Sequence, residues 1–196
     1  MRTTFKILVA GLAVGAVWVP REALALGPVD LEIAAQVGGG TSTVGSGAPN
    51  ALGLGVGGRV GVSAFGFYGG VSAMRYFGDG ADVPDASGGP PVHTYASSTL
   101  VGLEGGYNIG LSVLTLRPTL GVGYYTAGFS YSNPAGFGAS GSSSTNSSSV
   151  YVEPGATALF SFGIWFLGAD IGVLWVPAVD DSQAAVVVHG QVGIKL

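Results

Sequence analysis

Apolar residues return at every second position over much of the chain. Val29, Leu31, Ile33, Ala35 and Val37 alternate with Asp30, Glu32, Ala34, Gln36 and Gly38. Leu52, Leu54, Val56, Val60 and Val62 alternate with Gly53, Gly55, Gly57, Arg59, Gly61 and Ser63, and Leu114, Leu116, Leu120, Val122 and Tyr124 with Thr115, Arg117, Thr119, Gly121 and Gly123. A period of two belongs to strands whose two faces meet different surroundings. Glycines and β-branched residues in the same stretches disfavour helix. Eight strands are expected, at 29–39, 52–64, 67–77, 94–109, 113–127, 149–161, 164–176 and 185–196. Their connections alternate in length. Phe65-Gly66, Gly110 to Ser112 and Phe162-Gly163 read as tight turns, whereas 40–51, 78–93, 128–148 and 177–184 are longer. The stretch from Gly138 to Ser149 is a low-complexity Gly/Ser segment expected to be a mobile loop.

Composition decides what those strands face. The 196 residues include 36 Gly and no Cys, with 9% charged, 47% hydrophobic and a mean hydropathy of +0.51. An ordinary soluble domain carries about 25% charged residues. Disorder is excluded because disordered chains are charge-rich and poor in aromatics. Collagen is excluded because the glycines keep no three-residue period. The formal charge of -4, without a basic stripe, argues against nucleic acid as a partner. What fits is an all-β chain with an apolar exterior: an eight-stranded antiparallel transmembrane up-and-down β-barrel. Its short turns then face the periplasm and its long loops the outside.

Residues 1–25 read as a secretory signal peptide. Arg2 and Lys6 precede an apolar run from Ile7 to Pro20, and Ala23-Leu24-Ala25 supplies the small residues of a cleavage site. The run is shorter than the ~20 residues a membrane-spanning helix needs. Residues 26–196 then form the barrel. Without Arg2, Lys6, Arg21 and Glu22 that part keeps four basic (7 - 3) and ten acidic (11 - 1) residues, a net of -6. The absence of Cys rules out disulfides and a lipid anchor on a thiol.

Ionisable residues inside the strands are Glu32, Arg59, Arg75, Glu104, Arg117, Glu153, Asp170 and Lys195, with Asp30 at the start of the first. By parity most fall on the smaller, more polar face. A charge facing lipid at mid-membrane costs ~2–4 kcal/mol, so these eight are expected to line the lumen as a charge network. Arg117 is expected to pair with Glu104, Arg59 with Glu32, and Arg75 with Glu153 or Asp170 across the lumen. The network either fills the barrel or lines a narrow pore. Aromatics are expected in two girdles, one of Tyr68, Tyr107, Phe160 and Trp165, the other of Tyr76, Tyr95, Tyr124 and Trp175. Trp165 and Trp175 share a parity, and ten residues of tilted strand rise roughly 25 Å, the height of an apolar band.

With leader, hairpin rhythm, girdles and inward charges in place, residues 26–196 resemble the small eight-stranded outer-membrane barrels, such as the transmembrane domain of outer membrane protein A and outer membrane protein X. The resemblance implies a monomer in outer-membrane lipid and lipopolysaccharide, delivered by the barrel-insertion machinery. It implies a structural or surface-interaction role, no cofactor and no catalytic residue. The last strand of such proteins usually ends on an aromatic, whereas Val192, Ile194 and Leu196 carry the alternation here to a Leu.

Catalytic chemistry has little to stand on. Some small barrels modify lipid A with a Ser/His pair and a carboxylate, but only His93, in a long loop, and His189, facing the lumen, are present. Asp79, Asp82 and Asp85, and the pair Asp180-Asp181, read as solvated acidic loops rather than a metal site. The glycines at Gly53 to Gly58 and Gly121 to Gly123 lack the helix and Lys of a phosphate loop. They are expected to make room in a narrow barrel for Tyr125, Tyr151 and Phe166.

Overall fold

The computed structural model describes residues 29–42, 50–83, 92–132, 142–177 and 183–196. The signal peptide expected at 1–25 and Asp85, Asp180 and Asp181 lie outside them. Eight antiparallel strands are present: β1 Val29–Ser42, β2 Leu54–Ala64, β3 Phe67–Val83, β4 Val92–Tyr107 with a continuation Ile109–Leu111, β5 Leu114–Ser132, β6 Ser142–Phe162, β7 Trp165–Val176 and β8 Gln183–Lys195. Each pairs with its sequence neighbours, and β1 pairs with β8, which closes the sheet into a barrel with no free edge. The final residue joins the closure, since Leu31 and Leu196 exchange two backbone hydrogen bonds of 2.8 and 2.9 Å.

Register fixes the barrel's shape. Glu32 stands opposite Gly61, which faces Gly70, then Glu104, Gly121 and Glu153. Through β7 the row reaches Leu174 and Ala185 and returns to β1 at Ser42, ten residues beyond Glu32 (42 - 32). Such an offset over eight strands tilts them by roughly 40° and leaves an interior about wide enough for side chains.

Chain direction puts three tight turns at one end and the longer connections at the other. Phe65 and Gly66 both take positive φ, 52° and 85°, as a two-residue hairpin that follows the sheet's twist requires. The long-connection end differs from expectation. β3 runs on to Val83, so Asp79 and Asp82 belong to a strand, and Asp82 Oδ1 meets His93 Nδ1 of β4 at 2.8 Å. β5 and β6 extend to Ser132 and back from Ser142, so most of the Ser-rich segment is strand rather than loop. Their pairing continues through Thr126 and Ser148, whose hydroxyls lie 3.1 Å apart. Backbone ladder bonds, which do not depend on side-chain hydropathy, carry the hairpin past the end of the apolar pattern.

Outward positions carry the apolar alternation. Leu54, Val71, Leu103, Leu120, Ile171 and Val188 are all exposed around the wall. No helix of the described residues is long and apolar enough to cross a membrane. The apolar exterior therefore belongs to the strands, as along β7 from Trp165 to Trp175, ten residues apart.

Candidate functional site: the lumen and its two ends

Small residues make the interior habitable. A Cβ on Gly61 or Gly70 would collide with the Tyr68 ring and hydroxyl, and one on Gly102 with the Tyr151 hydroxyl. Glycine at these points lets whole aromatic rings lie across a narrow barrel.

At the short-turn end the lumen is filled by a buried ion pair. Arg117 donates from one terminal nitrogen to both oxygens of Glu32, at 2.8 Å each, with side-chain exposures of 1% and 2%. Arg117 Nε donates to Asn108 Oδ1 at 2.6 Å, and Ser63 donates to Glu32 at 2.9 Å. The Tyr68 ring lies under the guanidinium, 3.8 Å from its centroid, and its hydroxyl donates to Glu104 at 2.7 Å. Lys195 reaches Asp30 at 3.0 Å and Glu32 at 3.9 Å from the same end. Such a pair is tolerable only with its other donors and acceptors satisfied, which Asn108, Ser63 and Tyr68 largely do.

Above it lies a polar chamber of about 40 Å³, lined among others by Gln36, Arg59, Glu104, Thr157, Asp170 and His189. Arg59 approaches Glu104 only to 3.8 Å, and its Nε and second terminal nitrogen are buried without a protein partner, as are Gln36 Oε1 and Thr157 Oγ1. At ~10–15 Å³ each the chamber has room for about three water molecules to meet these atoms. His189 bridges two levels, with Nδ1 at 2.6 Å from Asp170 Oδ1 and Nε2 at 2.5 Å from the Tyr76 hydroxyl. Gln36 Nε2 donates to Asp170 Oδ2 at 3.4 Å. Glu153 completes the chamber wall.

Toward the long-connection end the lumen holds an apolar layer, with Ser98 and Thr94 buried near it. Leu52, Met74, Tyr76, Leu100, Leu174 and Val187 are packed in one buried cluster with Tyr151, Val176 and Ala185. Thus the lumen runs from ion pair through polar chamber to an oily layer.

Several expected placements are corrected. Arg75 faces outward, not into the lumen, and its terminal nitrogens donate to Thr99 Oγ1 at 2.6 Å and Ser97 Oγ at 3.1 Å. Tyr68 and Tyr76 face inward, at 4% and 0% exposure, and so belong to neither girdle. Both errors are one parity error on β3. Phe67, Val71 and Phe77 must meet the apolar surroundings, which carries Arg75 outward with them. Phe67 takes the place expected of Tyr68 and packs edge-on against Tyr107, ring centroids 5.2 Å apart. Tyr95, Tyr107, Tyr124, Phe160, Trp165 and Trp175 are exposed on the outside. The expected ion pairs also exchange partners. Arg117 takes Glu32 rather than Glu104, and Arg59 takes Glu104 rather than Glu32, because Glu104 stands in register with Gly121, not Arg117. Asp170 meets His189 and Gln36 in place of Arg75, and among the described residues no cationic nitrogen lies within 4.0 Å of Glu153. The lumen roles of Asn108, Ser63, Tyr68 and Tyr76 went unread, although a buried Tyr hydroxyl demands a polar partner.

Neither family models nor characterised protein sequences match this chain. Solved structures do. A major outer membrane protein from Thermus thermophilus superposes with a TM-score of 0.68 at 14% identity, covering 87% of this chain and 100% of that one. Neisserial surface protein A gives 0.55 at 14% identity over 87% and 98%. Ail, the attachment invasion locus protein of Yersinia pestis, crystallised with the heparin analogue sucrose octasulfate, gives 0.50 at 15% identity over 86% and 97%. The fold of this chain is that of the eight-stranded antiparallel outer-membrane barrels.

Proposed function

We propose that the chain is an exported outer-membrane barrel that works through its outer surface and its long connections, neither conducting through its lumen nor catalysing a reaction. The observation that carries this reading is the Arg117–Glu32 pair, buried at the short-turn end and held by Asn108, Ser63 and Tyr68. The apolar layer at the opposite end supports it, since ions do not cross a packed hydrocarbon-like layer without solvating groups. His189 engages Asp170 and Tyr76 inside the lumen, away from any lipid substrate, which supports a non-catalytic role. The polyanion bound by Ail is not carried over to this chain, whose residues 26–196 hold a net charge of -6 (4 - 10).

Planar-bilayer recording tests the closed lumen. The native chain is expected to give no reproducible discrete steps. Steps that change in Arg117→Ala would replace this reading with a narrow pore. Unaltered lipid A mass spectra are expected with and without the protein, and a shifted mass would instate a lipid A-modifying enzyme. Mass spectrometry of protein from the outer-membrane fraction is expected to find a new N-terminus at Leu26.

A further inference from the structure

The parity of β3 leaves one charged side chain where lipid should be. Around the barrel, outward positions between the Trp165 and Trp175 levels are filled by apolar residues and glycine until Arg75. Arg75 lies eight residues above Phe67 on the same face, so it stands roughly 20 Å up a tilted strand, near the long-connection rim of a ~25 Å band. Among the described residues no carboxylate lies within 4.0 Å of its guanidinium. Its neighbours are instead neutral hydroxyls. Register places Arg75 beside Thr99, Thr99 beside Thr126, and Thr126 beside Ser148, forming one outward row across four strands. Ser97 is the second acceptor of Arg75, two residues nearer the long-connection end of β4. On β2, the other neighbour of Arg75, the same row presents Val56.

A guanidinium has five donors, and Thr99 and Ser97 take two, anchoring it to β4 with the other three unclaimed among the described residues. An uncompensated cation at the edge of hydrocarbon calls for an anion at that depth, and phosphate oxygens match the planar fork of Arg. The geometry points to a lipid-phosphate site on the outer wall: Arg75 binds the phosphate of a lipid in the leaflet at the long-connection end, with Thr99 and Ser97 orienting the guanidinium. The lipid's chains then lie along Val71 and Ala73 below it and Val56 beside it. This rests on the outer-membrane reading above. It gives Arg75 a role outside the lumen and fixes the depth at which the barrel sits.

Native mass spectrometry of the full chain in neutral detergent tests it, with phosphatidic acid as probe, diacylglycerol of the same chains as comparator and soluble glycerol phosphate as competitor. One phosphatidic acid is expected to bind about fivefold more tightly than diacylglycerol, the worth of a single basic residue near a lipid surface. Arg75→Gln is expected to lower phosphatidic acid to the diacylglycerol level, and Arg75→Lys to keep part of the preference. Equal binding of the two lipids by the native chain, or an unchanged preference in Arg75→Gln, overturns the site. Displacement by glycerol phosphate at matching concentration overturns a lipid site in favour of a free-phosphate one. Unboiled electrophoretic mobility separates the failures. A variant that keeps the shifted band is still a barrel, whereas a native chain with no shift sinks the membrane-barrel reading itself.

Discussion

The two ends of the lumen are walled by the same eight strands and closed by opposite chemistry. At the short-turn end a cation and an anion meet with almost no exposure, held by polar groups and the Tyr68 ring, with Ala34, Leu159 and Phe166 packed in a small apolar cluster at the same end. At the long-connection end Leu52, Met74, Leu100, Leu174 and Val187 close on one another. Directional bonds make the first end exacting, because removing either partner strands the other in a medium that cannot solvate it. Dispersion and burial make the second end forgiving in geometry but sensitive to volume. His189 ties the chamber between them to the oily layer, reaching Asp170 on one side and Tyr76 on the other.

The largest effect should come from separating the ions. Glu32→Ala leaves the Arg117 cation buried and is expected to cost ~3–5 kcal/mol, read as a lower urea midpoint for the loss of the unboiled band. The paired replacement Glu32→Leu with Arg117→Met removes both charges and is expected to recover most of that loss. If the double variant is as unstable as the single one, the end is held by shape rather than by charge. In the oily layer Leu174→Ala is expected to cost about 3 kcal/mol by cavity formation. Its partner test there, Leu174→Met, conserves volume and is expected to cost less than ~1.5 kcal/mol. A similar loss for Met and Ala at that position would erase the contrast between the ends.

The alternation made the strands legible because each wall residue meets either oil or lumen, and an error of one residue would reverse that choice. The tight turn at Phe65-Gly66 fell where expected, whereas the other two lie one or two residues later, at Ser112-Val113 and Gly163-Ile164. The site was less legible. β3 carries aromatics on both faces, with Phe67 and Phe77 outside and Tyr68 and Tyr76 inside, so aromaticity alone could not tell a girdle from a lumen. The hydroxyl was the missing discriminator: Tyr68 finds Glu104 and Tyr76 finds His189. Pairing across the lumen was also hidden. Arg117 and Glu32 lie on strands that share no ladder and are 85 residues apart in sequence. Only the barrel's closure and its ten-residue offset bring their levels together. The strand ends past Phe77 and Ala127 were missed because their outward side chains turn small or polar while the backbone ladder continues.

Between the two ends, Asp170→Ala should weaken the join. It removes the acceptor of His189 Nδ1 and is expected to cost about 2 kcal/mol, the penalty of leaving a buried ring nitrogen unpaired, with the bilayer recording still silent. Conductance appearing in this variant would mean that the chamber, rather than its two ends, does the sealing.

The smallest effect is expected outside the lumen, where the same strands emerge from the apolar band. Ser148 is exposed, and among the described residues its hydroxyl meets only that of Thr126 at 3.1 Å, a contact that water replaces readily. Ser148→Ala should therefore change stability by less than ~0.5 kcal/mol, as for other surface positions without a special role. The urea midpoint measures it against Glu32→Ala. A loss approaching that of the ion pair would place the barrel's stability in its extended β5–β6 hairpin, and the contrast between charge and packing at the two ends would then be secondary to the wall itself.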